Sequence, residues 1–408
     1  MKRQIKENVF LWLMCFVSLS YGLVFLGCDG SADRQESPAA EIDRERGKLL
    51  TFAFDTALAI PMEPHHKDRA KAQQGVVEAC IETGQISRAV EYARKIDSWR
   101  RGVAMGELAY HMAGKGERDL AESYVEDASR VATMYKGWRK DRIRIQIART
   151  QSLLGQSDRA RQQMATADDI EKPRLASADG GELSDEEFDR RLQQLGSWVA
   201  KGNFDISRSA LETLVELLDS QYLHSDRQER IFVAMEEPYK KMPVFVRVDL
   251  LLRSAGVALK YDDRDRALEL VDRAQRYVDE ARLAPRQAIK IRAGLVRARF
   301  QAGDEDRARS DIGKLLEEYR ENEEQIVNIY RAECLRPVAE AYVAMGDRKA
   351  ASTVYGMAIE AGVENPNSRP RALDLSASCC SMAVHGFMPN PELWARMKEI
   401  RNGLSDPW

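Results

Sequence analysis

Much of the usual catalytic vocabulary is missing from this chain. GxSxG, the P-loop, GxGxxG followed by an acidic residue, HExxH and CxxC are all absent, which removes the common local signatures of hydrolases, nucleotide enzymes and zinc sites. Aromatic residues make up only 7% of the sequence, which suits alanine-rich helix packing better than a β-sandwich. An excess of one charge is also lacking. The 62 Lys and Arg against 65 Asp and Glu leave a formal charge of -3, which disfavours a whole-chain nucleic-acid binder or an acidic disordered tail. The six cysteines, Cys15, Cys28, Cys80, Cys334, Cys379 and Cys380, form no visible disulfide framework. Adjacent Cys379 and Cys380 have Cα atoms ~3.8 Å apart, below the range of a relaxed disulfide, and read as small apolar helix residues. Of the five histidines only His65 and His66 adjoin, and no carboxylate at fixed spacing completes a metal site. Glu186-Glu187 and Glu323-Glu324 read as solvated helix faces. No catalytic residue, metal site or cofactor is assigned.

What is present is a short recurrent pattern, glycine followed five positions on by alanine. It reads GQISRA from Gly84, GERDLA from Gly116, GQSDRA from Gly155, GDEDRA from Gly303 and GDRKAA from Gly346, with DDRDRA from Asp262 placing aspartate where the others have glycine. Ala89, Ala121, Ala160, Ala267, Ala308 and Ala351 stand five after the turn residue. Ile96, Ala128, Ala167, Ala274, Leu315 and Ala358 stand twelve after it, and Val77, Ala109, Ala148, Ala255, Val296 and Ala339 seven before. Small residues at these offsets predict two antiparallel helices in close approach, with the glycine ending the first in a left-handed conformation. Ser157 and Asp304 are candidate caps of the second helix. Stacked copies of such a hairpin predict an all-α solenoid.

A weaker copy surrounds Gly202, with Trp198 and Leu211 as its apolar residues, and a last hairpin runs from Arg369 to Ile400 with a turn near His385-Gly386. The chain breaks most clearly at Ala176–Ser184, where Ser184 to Glu187 is a capping-box pattern. The reading is therefore a tether over 29–45, N-terminal repeats over 46–175, a hinge over 176–185 and C-terminal repeats over 186–408. A further helix is expected over Ser225–Met235, with a break at Pro238–Pro243. Trp99 and Trp138, each 17 before a turn glycine, are read as covering the preceding hairpin.

These offsets resemble the tetratricopeptide repeat, from Arg69 to about Gly362 in six copies. The closing proline of that repeat is missing, with Arg101, Thr133 and Arg320 among the occupants. The turn spacings of 32, 39, 47, 60, 41, 43 and 40 exceed the ~34 of the family, so the α-α superhelix is expected to be irregular. The resemblance implies a concave binding face lined by the first helix of each hairpin. Carried across position by position, that face is Lys71, Gln74, Glu78, Tyr110, Arg142, Arg149, Lys290, Arg297, Arg336 and Glu340.

The N-terminus has a different character. Lys2, Arg3 and Lys6 precede an uncharged stretch from Val9 to Gly27, and Cys28 follows. The order of basic flank, apolar segment and small residue before cysteine resembles the lipobox of bacterial lipoproteins, with Phe25 where leucine is usual. The resemblance implies lipid attachment at Cys28 and a body exported to the periplasmic side and anchored to a membrane. An uncleaved membrane span and ordinary secretion are the other readings of this segment.

The repeats fill nearly all of the chain beyond Cys28 and leave no interval for a catalytic domain. A non-enzymatic scaffold for a protein or peptide partner, without nucleic acid, is the expected function. A glycan- or nutrient-binding repeat lipoprotein is the alternative, followed by a support for murein-acting enzymes. The basic segment Arg130–Arg161 is read as exposed helix faces or a surface for an acidic partner or anionic lipid headgroups.

Overall fold

The computed structural model describes residues 38–164, 173, 183–200 and 203–408. The chain forms two compact units, Met1–Glu41 and Ile42–Trp408, and the account below concerns the second. The expected all-α helical-repeat fold is observed, and among the described residues there is no strand.

Helix α1 (Pro38–Ala59) precedes three hairpins: α2 (His66–Glu82) with α3 (Ile86–Arg94), α4 (Arg100–Gly114) with α5 (Arg118–Thr133), and α6 (Trp138–Leu153) with α7 (Ser157–Met164). Helix α8 (Asp185–Ala200) follows. Five more hairpins complete the chain: α9 (Phe204–Gln221) with α10 (Ser225–Lys241), α11 (Val244–Lys260) with α12 (Arg264–Asp279), α13 (Pro285–Gln301) with α14 (Glu305–Asn322), α15 (Asn328–Ala344) with α16 (Arg348–Val363), and α17 (Ser368–His385) with α18 (Pro391–Asn402).

The turns form for the reason the glycines imply. Gly84, Gly116, Gly155, Gly303, Gly346 and Gly386 all have positive φ, and Asp262 takes the same conformation at φ 57°. At each turn two backbone bonds close the first helix. Gln85 N donates to Cys80 O at 2.8 Å and Gly84 N to Ile81 O at 3.1 Å, and the same pair recurs at Asp262 and Asp263 with Leu259 and Ala258. This is the Schellman arrangement, which satisfies carbonyls that the helix end would otherwise leave without donors. Ala89, Ala121, Ala267, Ala308 and Ala351, five after the turn, are all fully buried. Their lack of bulk lets the paired helices meet.

Several local expectations are corrected. Asp304 makes no side-chain capping bond; its carboxylate instead accepts from Arg299 Nη1 at 3.0 Å. Ser157 lies inside the first turn of α7 rather than before it. Asp263 and Asp347 do cap, accepting from Arg266 N and Ala350 N. Ser184 Oγ accepts from Glu187 N at 3.2 Å, while Glu187 turns its carboxylate to Arg190 and Arg191. Helix α10 continues through Pro238 to Lys241, so the expected break shrinks to Met242-Pro243. Gly202, Ala167, Cys28 and most of the expected hinge lie outside the described residues. Trp198 and Leu211 are buried as expected. Helix α9 takes the place of a first helix, however. Its end stacks on that of α11 through Tyr222 and Tyr261, 4.8 Å apart, and α8 is an extra helix beside α10, joined by Arg227–Asp185 and Arg230–Asp189.

The first helices of the hairpins pack side by side, α2 on α4, α4 on α6, α9 on α11, α11 on α13, α13 on α15 and α15 on α17. Arg149 on α6 reaches Glu216 on α9 at 3.3 Å. The row then closes, because α17 packs on α2. Contacts across more than 300 residues hold the seam. Arg369 pairs with Asp68 at 3.2 Å, and Ser376 Oγ donates to Ala53 O at 3.1 Å. Arg46 Nε donates to Ala383 O at 3.1 Å, and Phe52 meets Trp394 edge-on with ring centroids 5.6 Å apart. One hydrophobic core accordingly runs from Leu49 through Ile147 and resumes at Ile289 to Ile400, while a second core fills the middle hairpins. Eight first helices thus follow one another in a closed row, with the Arg149–Glu216 pair bridging α6 and α9. Their parallel N-termini define one rim, the entry rim; the glycine turns define the other.

Candidate functional site

The inner face of this circle carries the residues that the sequence pattern assigns to a binding surface, and it has two unlike walls. On α13, α15 and α17 the charges are matched across helices. Lys290 and Arg286 both bind Glu333, the latter at 2.9 Å. Arg297 reaches Glu340 at 3.1 Å and Arg336 reaches Asp374 at 3.1 Å. Ser381 donates to Glu340 at 2.8 Å, and His385 Nε2 lies 3.4 Å from it. Burial pushes the Glu340 carboxyl up, but His385, Ser381 and Arg297 outweigh it and leave the pKa lowered. The same balance lowers Glu333, where Lys290 and Arg286 overcome burial. At Asp374 burial wins over Arg336, and the pKa is raised.

On α2, α4 and α6 the matching is incomplete. Gln74 Nε2 donates to Glu78 at 2.8 Å while its Oε1 accepts from Arg100 at 2.6 Å. Arg149 lies over the Tyr110 ring, 4.5 Å from its centroid, and its Nε is buried with no hydrogen-bond partner. Arg142 is half-buried and close enough to Arg100 to oppose its charge. Glu107 has one carboxylate oxygen buried with no hydrogen-bond partner. Its pKa is pushed up to about 8, first by burial and then by the Glu78 charge, against Arg149 and Arg100. Glu78 is solvent-exposed, yet its pKa is also raised, with burial the largest cause. An exposed side chain that still feels desolvation is one that protein surrounds on most sides, as in a narrow lumen.

A cavity of ≈ 980 Å³ opens between the two walls at the entry rim. Helix α2 contributes Asp68, Lys71, Ala72 and Gly75, and α13 contributes Arg286. The start of α15 contributes Ile329, Tyr330, Glu333 and Arg336. The approach to α17 contributes Asn365, and α17 itself Arg369, Leu373, Asp374 and, farther along, Cys380. Arg286 lies flat on Tyr330, 3.3 Å from the ring centroid. Four cationic and three acidic side chains line the cavity. Arg286, Arg336 and Arg369 are each ion-paired, whereas Lys71 is exposed and, among the described residues, has no ion-pair or hydrogen-bond partner.

The ten residues assigned from sequence thus divide. Lys71 and Arg336 share the cavity. Gln74, Glu78, Tyr110, Arg142 and Arg149 belong to the incompletely matched wall, and Lys290, Arg297 and Glu340 to the matched wall. Glu107, Arg100, Glu333, Leu373, Asp374 and Cys380 were missed. For three of them the signal was present. Glu333 and Leu373 stand 13 before Gly346 and Gly386, as Lys71 and Lys290 stand before their own turns, and Cys380 stands six before Gly386, as Glu78 and Arg149 do before theirs. The two tryptophans behave differently from one another. Trp99 packs on the core, while Trp138 is 53% exposed and meets Trp99 edge-on. Cys80, Cys334 and Cys379 are buried and Cys380 half-buried, all unbridged. Burial drives Cys380 well above the ordinary thiol range, opposite to an activated nucleophile.

Among the described residues no group of three or more His, Cys, Asp or Glu is placed to hold a metal ion, and no helix is long and apolar enough to cross a membrane. No protein-family model matches the chain, and no curated protein matches it.

Proposed function

We propose that this chain is a non-enzymatic binding protein of the bacterial cell envelope, related to the tetratricopeptide-repeat lipoproteins, that captures a protein or peptide segment inside its circle of helices. The observation that carries the reading is the ≈ 980 Å³ cavity at the entry rim, continuous with an inner face of charged side chains. Its size is that of a specific ligand site, and its mixture of ion pairs with apolar surface suits a peptide better than a bare sugar. Tethering at Cys28 is compatible with this use. Helix α1 joins the circle at the turn rim, where Gln85 reaches Asp43 O, and ends beside α2, where Arg69 donates to Ile60 O.

A photo-crosslinking amino acid at Leu373 or Tyr110, inside the circle, and at Leu120, exposed on α5, tests this in native membranes. Adducts with one polypeptide from the inner positions alone support the proposal. Adducts from Leu120 alone, or no polypeptide adduct at all, contradict it. Fractionation of Cys28→Ser tests the anchor separately: release from the membrane is expected, and unchanged membrane association with unchanged mass contradicts lipidation.

A further inference from the structure

The stretch from Arg130 to Lys140 contains no carboxylate. It leaves α5 at Thr133 and enters α6 at Trp138, turning at Gly137 with φ 61°. Tyr135 packs against the core, while its neighbours Met134 and Lys136 are exposed. Met134 is 66% and Trp138 53% exposed, so one short loop holds two large apolar side chains in solvent. Trp138 is held in place by its edge-on contact with Trp99, ring centroids 5.1 Å apart.

Cations surround this apolar tip. The Arg139 guanidinium lies over the Trp138 ring, 4.8 Å from its centroid, and Arg101 Nη2 lies 4.0 Å from Met134 Sδ. Among the described residues Arg101, Lys136, Arg139 and Lys140 form no ion pair. The carboxylates beside them are already taken. Asp127 is paired with Arg94 at 3.4 Å and with Arg130, and Asp141 lies 3.9 Å from Arg144.

Unspent positive charge around exposed tryptophan and methionine complements a negative layer with an apolar interior beneath it. A bilayer containing anionic lipids is such a layer. Tryptophan favours the headgroup level, cationic side chains reach headgroups while their stems lie along apolar surface, and anionic lipids attract each Lys and Arg near them. The adjoining hollow between Arg94, Arg101, Arg130 and Met134 is ≈ 300 Å³, at the small end of ligand pockets. That is room for a headgroup rather than for a length of polypeptide.

We infer that the α5–α6 corner docks on a membrane surface containing anionic lipids. Met134 and Trp138 enter the headgroup–acyl boundary, and Arg101, Lys136, Arg139 and Lys140 meet the headgroup phosphates. None of these residues lines the entry-rim cavity, so the inference stands apart from peptide capture.

The test uses the full chain carrying a dansyl amino acid at Met134 or, as a control, at Leu223, which is 81% exposed between α9 and α10. Each is reconstituted with vesicles of phosphatidylcholine alone or with about 30% phosphatidylglycerol. The Met134 probe is expected to shift to the blue only where phosphatidylglycerol is present, and to return as salt is raised. The Leu223 probe should not move. Lys136→Gln should lower the ratio of docked to undocked protein about 5-fold. Lys136→Glu combined with Arg139→Glu, both exposed, should abolish the shift with the thermal midpoint kept. No shift with phosphatidylglycerol, or an equal shift without it, overturns the inference. So does an equal shift at Leu223, which would report only closeness to the bilayer, or a shift that survives the double variant. A shift of the Met134 probe produced as strongly by poly-glutamate over phosphatidylcholine vesicles reassigns the corner to an acidic polypeptide and overturns the lipid assignment.

Discussion

The two walls of the inner face are built from the same repeat, with the same register and similar charges, yet they differ in how those charges are used. On α13, α15 and α17 each carboxylate has a cation on a neighbouring helix, and Glu340 has Arg297, Ser381 and His385. On α2, α4 and α6 burial raises the pKa of both Glu78 and Glu107, the Glu78 charge adds to the shift of Glu107, and Arg149 keeps an unsatisfied Nε. The matched wall acts as a brace. The other holds polar groups that are costly to bury and that a ligand can satisfy. A repeat therefore fixes where charges stand without fixing whether they are spent internally.

The largest contrast should come from removing a carboxylate on each wall. Glu340→Ala strands Arg297 and His385 and is expected to cost about 3 kcal/mol in denaturant unfolding, within the range for breaking a largely buried ion pair. A cost near zero would mean that the matched wall braces nothing. Glu107→Gln should do the reverse. Glu107 is protonated in the fold up to about pH 8 but, in the unfolded chain, ionised above about 4.5. Unfolding thus releases a proton between these values, and stability falls as pH rises through that window. The Gln variant should be about 2 kcal/mol more stable than the parent at pH 8 and little different at pH 4. A variant less stable at pH 8 would show that the carboxylate is well matched after all. Glu78 on α2, Arg100 on α4 and Arg149 on α6 are the charges that face it, so each should shift the midpoint of that pH dependence.

Smaller effects probe how closely the unmatched wall is packed. A Cβ on Gly106 would lie 2.4 Å from Gln146 Cβ, and one on Gly102 would lie 2.6 Å from Ile143 Cδ1. Gly106→Ala should therefore cost about 1–2 kcal/mol through forced separation of α4 and α6; no change in thermal midpoint would mean that these helices can slide apart freely. Smallest is Asp262→Gly. It relieves a left-handed aspartate at φ 57° and should stabilise by about 0.5 kcal/mol, the strain relief being partly offset by greater chain entropy in the unfolded state. Destabilisation would point instead to the Asp262–Arg264 pair at 3.2 Å.

Local rules were legible in the sequence because they are local. Glycine five before alanine encodes a left-handed stop and a close helix contact, and even the aspartate substitute at position 262 keeps the conformation. The inner-face residues were legible for the same reason, since a fixed offset from each turn selects one side of the helix. Closure was not legible. It depends on Asp68 meeting Arg369 and Ala53 meeting Ser376 across the length of the chain, and no periodicity announces a contact at that separation. Glu107 was hidden because its effect needs Glu78 from one neighbouring helix and Arg149 from another. The Asp304 cap failed because Arg299, 2% exposed, takes its carboxylate, a demand visible only once Arg299 is known to be buried.

Closure makes the cavity, since α2 and α17 supply opposite sides of it. The most direct measurement is a distance between spin labels attached through unnatural amino acids at Lys67 and Glu364, both exposed, in the full chain. Adjacent helices packed 8–10 Å apart predict one narrow distribution centred at about 15–25 Å once the label arms are included. A broad distribution, or one centred well beyond that range, would describe an open solenoid with no seam and would contradict both the closed circle and the site built on it.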